Sequence, residues 1–267
     1  MITIRRFWMK SYCWLLFLCY MFLTGCSTQF KSDEKTNRLK FSIQHANTIP
    51  IKDSVEPLAV SDMLPGDILL SSATGLNSWG IRLFSISGVS HASIYLGLGE
   101  VAESVGSGVR VISLNQAVRD SNNMVVLRQS GLTSLHADKL REFSMRNDGR
   151  KYNYKGIVMI APWMVTKRIC ELPLIGETIR NFCLQTLAKV QLGDDVDQAN
   201  GFFCSQFVID AYKYAGIPLF EGNSSWITPA DILHMRTGDV PTFMPTQRLV
   251  YVGHLKSWSF SNAIFKK

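Results

Sequence analysis

A change of apolar period partway along the chain limits the fold more than any other feature. Residues 89–96 alternate apolar and polar, and short apolar runs at 68–70, 101–105, 109–113 and 124–128 stand between turn-forming residues. That is the pattern of β-strands. Beyond residue 134 the period lengthens to the helical one, over 135–146, 157–165, 177–192 and 203–215. One strand returns at 248–252, and 77–85 reads as a short helix with Trp79, Leu83 and Phe84 inward. Strands first, helices later and a returning strand predict an α+β fold, an antiparallel sheet packed against helices. With 46% hydrophobic and 18% charged residues, the 267 residues can bury a core, which excludes wholesale disorder, a collagen-like chain and a coiled-coil rod.

The N-terminus fixes the compartment. Arg5, Arg6 and Lys10 precede an apolar run over 12–23 that is too short for a spanning helix of ~20 residues. A basic start and a short apolar run make a secretory signal. Leu23-Thr24-Gly25-Cys26 follows and resembles a bacterial lipobox, in which cleavage before the cysteine leaves Cys26 to carry lipid. Ser27, rather than Asp, after that cysteine resembles outer-membrane sorting. The expected organisation is a signal over 1–25, a lipidated tether over 26–60 and a folded domain over 61–267. Cleavage removes three cations and no anion, lowering the net charge from +7 to +4 over 242 residues. No run of five basic residues remains, so a nucleic-acid partner is not expected. The expected partner is the membrane, on the periplasmic face of the envelope and in the outer membrane rather than the inner.

Cysteine accounting narrows the chemistry. Cys13 and Cys19 leave with the signal and Cys26 is spent on lipid, so Cys170, Cys183 and Cys204 remain in an oxidising space. Cys170 and Cys183 stand 13 apart, a span that a disulfide closes, which leaves Cys204 alone. The five His residues are scattered and no C-x-x-C occurs, so neither a metal nor another cofactor is expected. Cys204 heads an amphipathic pattern, with Phe207, Val208, Ala211 and Ala215 at offsets of 3, 4, 7 and 11, stopped by Gly216 and Pro218. A thiol in a first helical turn feels the positive end of the helix dipole, which favours the thiolate.

His91 lies on the strand pattern 89–96 beside small Ser93. A His on a strand facing a cysteine at a helix start is an arrangement for thiol nucleophilic catalysis. Gly97-Leu98-Gly99 reads as a three-residue hairpin loop. Pairing Leu96 with Glu100 then sets Ser93 opposite Glu103, and Glu103 falls on the His91 face. A two-residue loop would shift that register by one.

The order LPGDILLSS, VSHASIYLG, VAESVGSG, FFCSQFVIDAY and TPADILHMR resembles the YaeF/YiiX-type permuted members of the NlpC superfamily of papain-like hydrolases, YaeF-type lipoproteins above all, over residues 64–255. The resemblance implies a circularly permuted papain-like fold, with His and acid before the nucleophile. Cys204 is then the nucleophile, His91 the general base and acid, and Glu103 the residue that orients His91. It also suggests a tyrosine near the pocket, Tyr152 or Tyr154. Gln206 departs from the pattern, where relatives often carry Glu.

Placed beside the cell wall, such a site points to hydrolysis of an amide bond in a peptide or in peptidoglycan. The apolar stretch over 157–165 and the lipid anchor keep a second reading open: an acyltransferase, or a thioester or lipid hydrolase, of the lecithin-retinol-acyltransferase type acting on an acyl substrate. A non-catalytic envelope binding lipoprotein is the third reading.

Overall fold

The computed structural model describes residues 27–32, 39–45, 47–49, 54–73, 87–172, 175–193 and 201–257. The signal over 1–25, Cys26 and the expected helix over 77–85 lie outside them. Two short strands come first, β1 (Thr28–Ser32) and β2 (Leu39–Ile43), paired antiparallel with Phe30 opposite Phe41. The main strands follow: β3 (Ile68–Ala73), β4 (His91–Gly97), β5 (Glu100–Val105), β6 (Gly108–Ser113), β7 (Ser121–Gln129) and, after the helices, β8 (Leu249–Lys256). They form one six-stranded sheet in the order β6-β5-β4-β3-β7-β8, antiparallel at every pairing. The helices are α1 (Leu114–Arg119), α2 (Ser134–Arg146), α3 (Tyr154–Thr166), α4 (Glu177–Leu192), α5 (Cys204–Tyr214) and α6 (Pro229–His234). The class is α+β, as the change of period implied.

Both faces of the sheet are covered. Ile68, Leu70, Ala92, Ile94, Ala102, Val125 and Leu127 join Phe207, Val208, Ala211 and Tyr212 of α5 in the larger core. Leu69, Tyr95, Val101, Met124 and Val126 turn the other way, onto Leu114 and Ala117 of α1. Of the apolar stretch over 157–165, Ile160, Trp163 and Met164 lie in the larger core, and Trp163 Nε1 donates to the Trp226 carbonyl at 3.2 Å. Pro162 and Val165 face outward.

The stretch expected as a tether is tied down instead. Arg236, fully buried, donates to the carbonyls of Thr48 at 2.7 Å and Asn47 at 2.8 Å. The Asp239 carboxylate accepts from the His45 amide at 2.9 Å, and Gln44 Nε2 reaches the Val240 carbonyl at 3.0 Å. At β1, Arg180 of α4 donates to the Thr28 carbonyl at 2.8 Å, and Gln29 bonds to Glu177. Pro57 bridges to His254 of β8, so the packed body reaches back before residue 61. These anchors are long-range hydrogen bonds from buried groups, which local patterning does not announce.

Cys170 and Cys183 form a disulfide that joins the turn after α3 to α4, with Cα atoms 5.6 Å apart. Closing a loop of this size stabilises by ~3 kcal/mol on the chain-entropy account. The double variant Cys170→Ala/Cys183→Ala is therefore expected to lose about that much unfolding free energy in urea. Unchanged stability in the variant, or recovery of Cys170 and Cys183 of the native protein as free thiols in a non-reducing peptide map, would contradict this.

Candidate active site

Three neighbouring strands carry a line of charge. Arg110 on β6 sits directly opposite Glu103 on β5, and Glu103 sits opposite Ser93 on β4. His91, two residues before Ser93, is diagonal to Glu103 and opens its strand. Glu103 Oε1 accepts from Arg110 Nε at 2.9 Å and Nη2 at 2.7 Å, a two-pronged contact. Its Oε2 meets His91 Nε2 at 2.8 Å.

The hairpin that delivers this register differs from the expected one. Gly97, not Leu96, pairs with Glu100, so the turn has two central residues rather than three. Leu98 and Gly99 both adopt positive φ, at 55° and 76°, as a tight primed turn requires. The register then shifts between Tyr95 and Gly97, where Leu96 bulges. The bulge restores the residue that the shorter loop removed, and Glu103 returns to the His91 face.

Cys204 is the first residue of α5, is 4% exposed, and is the free cysteine among the described residues. The first helical bond runs from the Phe207 amide to the Phe203 carbonyl. The amides of Cys204, Ser205 and Gln206 therefore have no acceptor within the helix. Several contacts fix this helix start. Ser104, the neighbour of Glu103, donates to the Phe202 carbonyl at 2.8 Å. Residues 151–153 run parallel to 201–203, with the Phe202 amide on the Lys151 carbonyl at 3.3 Å and the Asn153 amide on the Phe202 carbonyl at 3.1 Å. Gly201 permits that approach: its φ is +98°, and a Cβ there would lie 1.7 Å from the Lys151 carbonyl oxygen. Ser205 Oγ donates to the Ile227 carbonyl at 2.6 Å, and at the far end of the helix Tyr212 reaches the Gly66 carbonyl.

His91 is hydrogen-bonded to Cys204 as well as to Glu103. With Nε2 committed to the carboxylate, Nδ1 is left for the sulfur. Burial alone would favour the neutral ring, but the hydrogen bonds and charges of Cys204 and Glu103 outweigh it and raise the His91 pKa from 6.5 to about 10. Burial likewise opposes the Glu103 charge, and His91 and Arg110 overcome it, holding the carboxyl at about 2. Imidazolium and carboxylate are thus the ground state at neutral pH.

The structure brings Cys204, His91 and Glu103 together and adds Tyr152. Burial, then the charge of Cys204 and the neighbouring Tyr154, push the Tyr152 phenol up, so it remains a neutral hydrogen-bonding group. Tyr154 does not share that position: it is exposed, donates to the Gly106 carbonyl at 3.0 Å, and packs edge-on against Tyr152 with centroids 5.0 Å apart. Gln206, the departure from the family pattern, is buried in the first turn of α5, and its Oε1 finds no partner among the described residues. Sequence reading missed Arg110 and Ser104; it reads Gly201, with Asn200, as a candidate N-cap of this helix, whereas the cap is Phe203 and Gly201 serves the close approach to Lys151. Arg110 had a signal: closing 105 onto 108 around Gly106-Ser107 puts 103 opposite 110. Among the described residues, no three His, Cys, Asp or Glu side chains converge as metal ligands would.

No protein-family model matches the chain. It is 40% identical over 258 residues to the probable lipoprotein peptidase YaeF of Escherichia coli strain K12, covering 92% of this chain and 93% of that protein. The crystal structure of metalloprotein yiiX from Escherichia coli O157:H7 is 22% identical, with a TM-score of 0.33 over 55% of this chain and 91% of that one.

The two shifts set a pH window. The raised His91 value contributes stability that is complete below 6.5 and lost as pH rises through about 10. The depressed Glu103 value contributes stability present above 4.5 and lost as pH falls toward about 2. An NMR titration of labelled His91 should find imidazolium through pH 7 to 9, as expected for a pKa of about 10. It should find a lower value in Cys204→Ala, and a ring titrating near 6.5 in the native protein would contradict the assignment. Gly201→Ala is expected to cost at least ~1–3 kcal/mol of stability from backbone strain. Gly149→Ala, also at positive φ but with open space around it, should cost less because it carries no clash. Equal losses in urea melts would remove the close-approach argument.

Proposed function

The chain belongs to the family of the probable lipoprotein peptidase YaeF, and from that premise we propose that it is a cysteine hydrolase of the cell envelope that cleaves an amide bond in a peptide or peptidoglycan substrate. The observation that carries the reading is the convergence of Cys204, at a helix start, on an imidazolium whose other nitrogen is held by a buried carboxylate. The order His91, Glu103, Cys204 along the chain supports a circularly permuted papain-like arrangement. Cys26 is read as the lipid-bearing residue of the mature protein. That anchor sets the protein on the periplasmic face, in the outer membrane by the Ser27 signal.

The chemistry follows from the groups present. The Cys204 thiolate attacks the scissile carbonyl carbon, and the developing oxyanion lies at amides of the α5 start. Collapse of the adduct expels the amine, which takes the proton from His91 Nδ1, leaving a thioester on Sγ. His91 then accepts a proton from water as the water oxygen attacks the thioester, and the acid product leaves. Glu103 keeps Nε2 protonated throughout, Arg110 keeps Glu103 ionised, and the Tyr152 hydroxyl is available to substrate.

Glu103→Gln retains the reach but loses the charge that supports imidazolium. It is expected to lower kcat by ~10²–10⁴-fold on an envelope-peptide substrate, the range for one acid–base component. Glu100→Gln should be near native, since Glu100 is half-exposed and paired with Arg141 at 2.6 Å, outside the site. Cys204→Ala should abolish turnover while leaving the fold intact. Near-native rates in both Glu variants, or residual turnover in Cys204→Ala, would overturn the assignment.

A further inference from the structure

The β1–β2 hairpin has an apolar face that nothing in the described chain covers. Phe30, Leu39, Phe41 and Ile43 are all exposed, Leu39 by 79%, and the rings of Phe30 and Phe41 pack against each other tilted by 46°, with centroids 5.0 Å apart. They share one side of the ribbon by register, while Gln29, on the other side, is buried against Glu177. The hairpin is fixed to the first turn of α4 through Arg180 and Glu177. From that turn α4 presents a second exposed stripe, Ile179, Phe182 and Val190, at offsets of 3 and 11. Phe182 is 72% and Val190 79% exposed, and the adjacent Cys183 is pinned by the disulfide. Soluble surfaces scatter single apolar side chains, whereas these two elements, joined through Arg180 and Glu177, present seven.

We propose that this face, the β1–β2 ribbon and the outer stripe of α4, is a bilayer-docking surface that seats the catalytic body on the membrane beside its lipid anchor. The proposal rests on Cys26 being the lipidated residue. Only three residues separate Cys26 from Phe30, so extended chain spans at most ~14 Å over the four steps between them. A lipid chain inserted at Cys26 therefore brings the ribbon to the headgroup layer, where aromatic and branched aliphatic side chains bury ~5–10 Å deep. The lipid and the apolar face then act as two linked signals, and the second fixes orientation, which an acyl chain on a flexible tether does not.

The test uses the full chain as matured, reconstituted in vesicles of phosphatidylethanolamine and phosphatidylglycerol with brominated acyl chains as quencher. Phe41→Trp and Phe182→Trp report from the proposed face. Leu98→Trp, on the exposed β4–β5 turn, reports from outside it. The expected result is quenching of the added emission at 41 and 182 and none at 98. Unquenched emission at 41 and 182 overturns the proposal, as does equal quenching at all three. So does finding the face shielded without vesicles by a second copy or a co-purifying protein. The mass of the N-terminal peptide reads lipidation separately. If Cys26 is unmodified, the lipoprotein reading fails by itself, and adding the soluble chain to the same vesicles decides the face: quenching at 41 and 182 sustains it, none overturns it.

Discussion

The Glu103 carboxylate is only 5% exposed yet ionised, because one oxygen takes both prongs of Arg110 and the other takes His91. A carboxylate at that depth without partners would be driven toward its neutral form. Antiparallel pairing supplies the partners, since β6, β5 and β4 each contribute one side chain in register. The charge on Glu103 maintains the charge on His91, and an imidazolium beside Cys204 is what a thiol nucleophile needs. The sheet does more than support the site: the order of its three edge strands is the electrostatic circuit.

Placing the sulfur falls to different contacts. Ser104 points opposite to Glu103 on the same strand and holds the Phe202 carbonyl, so a single strand anchors both the carboxylate and the approach to α5. Gly201 lets the 201–203 segment lie against 151–153, and the same junction brings Tyr152 toward the sulfur. Backbone amides left over at the start of α5 have no acceptor within the helix, which is what the proposed chemistry asks of an oxyanion site.

How much of this was legible depends on the range of the interaction. The long amphipathic helices and alternating strands were legible because their patterns are local, and α4 falls on 177–192 as read. The α1 helix, six residues between two strands, is too short to carry a period. The α6 helix carried a signal that went unread, Thr228 and Asp231 in a capping box with Pro229 between them. The Glu103 register was reached through two compensating differences, a shorter turn and a bulge at Leu96. A bulge answers to packing on both faces, and nothing in Leu96 itself marks one. The ribbon at 28–43 was hidden because Arg180 and Glu177, far away in sequence, hold its first strand, while Arg236 and Asp239 hold the segment at 45–48 that follows it.

In the proposed function a thiol buried at a helix start attacks substrate from a body seated on a membrane, and the covalent role of Cys204 is central to it. The most direct measurement is intact-protein and peptide mass spectrometry of the purified protein, acid-quenched shortly after mixing with envelope extract. The account predicts an acyl adduct on the Cys204 peptide that hydroxylamine removes, as a thioester requires, and no such adduct in Cys204→Ala. Turnover of the extract with Cys204 unmodified at every time point, or an adduct on another residue that persists in Cys204→Ala, would contradict it.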